Sequence, residues 1–99
     1  MTSKNIRRLI SYSSGGVLSK VLIKSERLNV TLFCMAAGTD IGKHTSTKEG
    51  TVYVLEGEGT FALDSERIRM LPGILIHLKT NQLHSIAVTK NSSFLLTLS

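Results

Sequence analysis

Cysteine is nearly missing from these 99 residues: Cys34 stands alone, which excludes an internal disulfide and suits a reducing compartment, with the cytoplasm as the expected location. It lies in an apolar-alternating segment, where a thiol behaves as a small buried hydrophobe rather than as a nucleophile. Long apolar runs are missing too. Leu71 to Leu78 is broken by Pro72, Gly73 and His77 and falls far short of the roughly 18 residues that span a bilayer, so no membrane segment is expected. Met1 to Ile10 carries basic residues but neither the continuous apolar stretch nor the small-residue cleavage site of a secretory leader. There is no sustained helical period, no internal repeat and no low-complexity linker. The G-x-S-x-G elbow, the phosphate-cradling G-x-x-x-x-G-K, paired C-x-x-C and a helix able to carry H-E-x-x-H are all absent, which removes the commonest signatures of several enzyme classes.

Acidic residues are in the minority, seven against twelve Lys and Arg, for a net charge of +5. The basic residues are nevertheless scattered from Lys4 to Lys90, with few aromatics between them to stack bases. That distribution describes a solvated basic surface and gives no reason to expect a nucleic-acid partner.

What is present is an ordinary globular balance, 41% apolar and 19% charged, enough for one domain over residues 1–99 and too little for two. A chain this short buries only about two-thirds of the surface its unfolded form exposes, so self-association as a homodimer is expected. The recurring pattern is a period of two. Leu28, Val30, Leu32 and Cys34 alternate with Asn29, Thr31, Phe33 and Met35, as in a strand with one face on a core. Thr51 to Leu55 is β-branched and aromatic on both faces, as in a strand covered on both sides. Thr60 to Leu63, Glu66 to Leu71, Ile74 to Leu78, Ser85 to Thr89 and Phe94 to Leu98 follow. Ser14-Gly15-Gly16 sets off residues 1–16, a candidate extra edge strand, from a strand near Val17 to Ile23. Glu56-Gly57-Glu58-Gly59 and Asp64-Ser65 read as the turns of consecutive hairpins, with Glu56 and Glu58 solvated at a loop tip. Short, closely spaced strands predict an all-β sandwich or a small jelly-roll β-barrel.

From Gly38 onward the chain resembles the cupin family, whose motifs read G-x5-H-x-H-x3-4-E-x6-G and G-x5-P-x-G-x2-H-x3-N. Gly38 is followed at the right distance by His44, and the first motif closes at Gly57. Gly73, after Pro72, is followed at the right distance by His84. Residues 38–57 and 73–88 thus correspond to the two motifs. The second histidine of the first motif is Ser46 here and its glutamate is Gly50. In the second, Lys79, Asn81 and Val88 replace proline, glycine and asparagine. The resemblance implies a cupin-like double-stranded β-helix of the RmlC type and, in complete members, three histidines and a carboxylate around one transition metal such as Fe, Mn, Ni or Zn.

Two of those four ligands are gone, and two imidazoles alone hold a metal weakly. Candidates for a third are Glu49, one residue off the motif position and therefore inward only through a bulge, and His77, whose ordinary reading is a histidine bonded to a neighbour. Ser46 shares the face of His44 and reads as a pocket hydroxyl. Gly50 removes charge and volume, which should enlarge the pocket. Three functions follow: a small-molecule binder with His44, Ser46, Tyr53 and His84 facing the ligand; a metal-dependent oxygenase, isomerase or lyase with a rebuilt metal set of His44, His84 and Glu49 or His77; or a structural or regulatory dimer whose interior is filled by Phe, Leu and Met.

Overall fold

The computed structural model describes residues 2–99. Among them, nine strands and one helical turn follow in the order α1 (Ile6–Leu9), β1 (Val17–Lys24), β2 (Asn29–Met35), β3 (Asp40–His44), β4 (Gly50–Glu56), β5 (Gly59–Leu63), β6 (Glu66–Met70), β7 (Leu75–Leu78), β8 (His84–Val88) and β9 (Ser92–Leu98). They form a five-stranded sheet, β1-β2-β9-β4-β7, and a four-stranded sheet, β3-β8-β5-β6, antiparallel at every pairing. From β2 on the chain crosses repeatedly between the sheets, which is the winding of a jelly roll. Among the described residues no helix is long and apolar enough to cross a membrane.

The core lies between the sheets and is built from Met35, Val52, Val54, Phe61, Leu63, Met70, Ile76, Leu78, Ile86, Val88 and Phe94. The strands that contribute do so with alternate residues, because successive side chains in a strand point to opposite faces. In β4 that rule puts Val52 and Val54 inside and leaves Tyr53 43% exposed, so the strand is covered on one face rather than on two. In β2 the inward set is Phe33 and Met35. The alternate set, Leu32 and Cys34, is also fully buried, on the outer face of the same sheet.

The cover for that outer face comes from residues 2–16, which form a single helical turn and an irregular strap instead of an edge strand. Ile6, Leu9 and Ile10 are partly buried while Arg7 and Arg8 are exposed, a spacing that suits one turn of helix laid on a sheet. The strap is tied down at three places. The Lys20 ammonium donates to the Leu9 carbonyl at 2.8 Å, the Tyr12 hydroxyl donates to Glu56 Oε2 at 2.9 Å, and the Ala36 amide donates to the Gly16 carbonyl at 3.0 Å.

Asp64-Ser65 closes a true hairpin between β5 and β6, with Asp64 at φ 53°. The other turn is different: β4 and β5 belong to different sheets, so Gly57-Glu58 is a crossing rather than a hairpin tip. Gly57 has φ +110°, and a Cβ placed on it would lie 2.1 Å from Ser92 Oγ. Only glycine satisfies both the dihedral and the approach of β9. Glu58 is held at this crossing by Arg69 and Lys90, and its carboxyl lies below the usual range because it accepts from Arg69.

Candidate functional site

His44 ends β3 and His84 begins β8, and the two residues are directly paired across the strands. Their rings meet edge to face with centroids 4.0 Å apart. His84 is buried, His44 is exposed, and the Phe61 ring stacks on His84 at 5.7 Å. Both rings are oriented by backbone. His44 Nδ1 bonds the Gly42 carbonyl at 2.9 Å and His84 Nδ1 bonds the Gln82 carbonyl at 3.1 Å. A carbonyl only accepts, so Nδ1 carries the proton in both rings and each neutral imidazole presents Nε2 as an acceptor. Burial pushes the His84 pKa down, the Gln82 carbonyl pulls it back and the neighbouring His44 lowers it further.

The two rings stand at the mouth of a cavity of about 60 Å³ lined otherwise by Phe33, Ile41, Val52, Phe61, Leu78, Ile86, Phe94 and Leu96. All three phenylalanines of the chain reach it. They escape motif reading because each occupies the inward parity of a different strand, and only a correct assignment of strand faces brings them together. Phe33 and Phe94, paired across β2 and β9, stack at 5.1 Å.

The remaining sequence candidates lie elsewhere. Tyr53 faces outward, because Val52 and Val54 take the two inward positions beside it. Ser46 belongs to the loop after β3, where its hydroxyl accepts from the Lys48 amide at 3.1 Å and its carbonyl from the Asn81 amide at 2.7 Å. It shapes the loop and does not line the cavity. Glu49 and His77 bond each other on the outer surface, both more than half exposed. No bulge turns Glu49 inward, and His77 alternates with the buried Ile76 and Leu78, so neither supplies a third ligand.

Gly50 does not open the pocket. A Cβ there would lie 2.1 Å from the Thr97 carbonyl oxygen and 2.7 Å from the Leu98 side chain, so strand β9 already occupies the space a larger residue would need. The loop before His84 is held by its own residues. Asn81 adopts φ +63°, a conformation that asparagine tolerates better than most residues. Gln82 and Leu83 are anchored to the Asp64 carboxylate.

Tested against a resident metal, this donor set falls short. Two imidazoles have the backbone-anchored geometry that metal ligands use, but among the described residues no group of three or more His, Cys, Asp or Glu comes together to hold an ion. The residues do not fit a tightly bound metal of the three-histidine, one-carboxylate kind.

No curated protein matches this sequence. Solved structures do. A protein from Thermus thermophilus is 20% identical, with the match covering 100% of this chain and 97% of that one at a TM-score of 0.90. An RmlC-like cupin from Desulfovibrio desulfuricans is 22% identical, covering 100% and 96%, at 0.89. A cupin 2 conserved barrel domain protein from Leptotrichia buccalis is 27% identical, covering 96% of this chain and 46% of that one, at 0.89. The family model for the cupin domain matches residues 31–98, a span that includes both histidines, the Gly57 crossing and every strand from β3 to β9, and the chain belongs to the cupin family.

Proposed function

We propose that this cupin binds a small molecule at the barrel mouth, without a resident metal, by admitting a short apolar end to the cavity and accepting a hydrogen bond at Nε2 of His84 or His44. The observation that carries the reading is the combination of two backbone-oriented imidazoles with a cavity that offers no other polar side chain. A largely apolar pocket with a few placed polar groups is the usual form of a small-ligand site. Size limits the ligand. At about 60 Å³ the cavity is well below the ~150 Å³ that admits benzene, so a methyl or short alkyl end enters while the donor group and the remainder rest against His44. For a ligand of about five heavy atoms, a ceiling of ~1.5 kcal/mol per atom keeps the dissociation constant at micromolar or weaker.

Ligand-observed and histidine-ring NMR with short-chain alcohols and primary amides tests this reading. The expected outcome is saturable shifts of the His44 and His84 ring signals, with His84→Phe weakening binding about tenfold through the lost acceptor. Shifts that never saturate, or an affinity unchanged in both His84→Phe and His44→Phe, would count against it and favour a barrel whose interior is simply filled. Elemental mass spectrometry of untagged protein addresses the metalloenzyme alternative in parallel. The expected metal content is well below one per chain, whereas one metal per chain that disappears in a His44→Ala/His84→Ala variant would overturn the metal-free reading.

A further inference from the structure

The basic residues are spread over the whole chain, but the acidic residues that offset them are not. Residues 28–99 carry six Lys and Arg against six Asp and Glu. Residues 1–27 carry Lys4, Arg7, Arg8, Lys20, Lys24 and Arg27 against Glu26 alone, so the net charge of +5 belongs to the strap, β1 and the turn that follows it. The fold gathers these cations and leaves most of them free. Lys4, Arg7, Arg8, Lys24 and Arg27 are exposed, and among the described residues every ion pair joins residues beyond position 48. Lys20 is the exception, half-buried and spent on pinning the strap through the Leu9 carbonyl. Lys4 and Ile6 line one groove with Leu22, Ile23 and Val30, which sets the start of the strap beside the end of β1 that carries Lys24. Aliphatic side chains break the surface among the cations: Ile23 is 46% and Leu28 36% exposed.

We propose that this face docks on a membrane surface rich in anionic lipid, the five free cations meeting lipid phosphates and Ile23 and Leu28 resting at headgroup depth. Uncompensated Lys and Arg beside protruding aliphatics is the composition that favours such a surface, where charge attracts and apolar area holds. Nucleic acid is the other polyanion to weigh, and the face suits it less. A single strand needs aromatic rings on which bases stack, and Tyr12, the one aromatic residue of this segment, is committed to Glu56. A duplex would use the cations through its phosphates but would find no use for Ile23 and Leu28.

Co-sedimentation of the full chain with vesicles tests the proposal. Phosphatidylcholine vesicles should leave the protein in the supernatant, and vesicles with phosphatidylglycerol added should carry it down, less so as salt rises. A cation close to an anionic leaflet is worth about a fivefold gain in partitioning, so Arg7→Glu/Arg8→Glu should weaken it at least about twentyfold. Lys43→Glu/Arg67→Glu makes the same change in net charge at exposed positions on the other sheet and should weaken it less than about threefold, since charges beyond a Debye length are screened. Ile23→Ser should weaken it several-fold at fixed salt, with the circular dichroism of every variant unchanged. Equal losses for the two charge reversals would overturn the proposal, because the attraction would then follow net charge and not this face. Partitioning of Ile23→Ser equal to that of the parent would overturn it as well. So would protein left in the supernatant by anionic vesicles at low salt; binding of duplex DNA under those conditions would assign the face to nucleic acid instead.

Discussion

At His84 the core and the backbone make opposite demands. Burial against Phe61 favours the neutral ring, and burial is the larger effect on its pKa; the Gln82 carbonyl favours the protonated ring. The folded-state pKa is therefore below the unfolded value of about 6.5, and the unfolded chain binds more protons between the two. Stability contributed by the neutral ring is present above pH ~6.5 and is lost as pH falls through the folded pKa. Urea denaturation at stepped pH should show unfolding free energy declining below that point in the parent, and His84→Phe should flatten the decline. Tyr12 works in the other direction. Burial, then the neighbouring Glu56 carboxylate, pushes its phenol up to about 12, so its share of stability is present below pH ~10 and is lost as pH rises through the folded pKa.

Among the elements, the strap of residues 2–16 shows best what the sequence discloses and what it withholds. Period-two runs locate nearly every strand, because alternation is a local signal. They do not tell which face of β2 is inside, since Phe33 and Met35 pack in the barrel while Leu32 and Cys34 pack under the strap; when both faces are buried, alternation carries no direction. The single helical turn is too short to show a period. Gly57 announces a turn, but whether the chain returns in the same sheet or crosses to the other depends on Ser92, thirty-five positions away. The candidate site is legible at His44 and His84 through motif spacing. It is illegible at Phe33, Phe61 and Phe94, and the expected pocket places for Tyr53 and Ser46 fail because their directions are set by the parity of neighbours and by loop hydrogen bonds; His77 takes its ordinary reading, bonded to its neighbour Glu49. The strap also yields a prediction. Tyr12→Phe removes the bond to Glu56 and should cost about 1 kcal/mol. Local opening of the strap should then be more frequent, so native-state labelling of Cys34 by a thiol reagent should accelerate several-fold. An unchanged labelling rate would mean that Cys34 is exposed only by global unfolding.

For the whole molecule, pairings such as Asn29 with Leu98 and Met35 with Ser92 join distant parts of the chain. Such long closures must form before the core can reward them, which places folding in the millisecond-to-second range of all-β domains. Protection against hydrogen exchange should follow sheet position, highest in strands such as β9 and β2, which have neighbours on both sides, and lowest in the edges β1, β7, β3 and β6. The tight contact at Gly50 has a consequence on a longer timescale. Because Thr97 and Leu98 already stand where its side chain would begin, a carboxylate cannot arise there by one substitution; strand β9 would have to move in the same step. Position 50 is thus closed to stepwise change, and any single substitution that adds a ligand beside His44 and His84 has to fall elsewhere in the barrel.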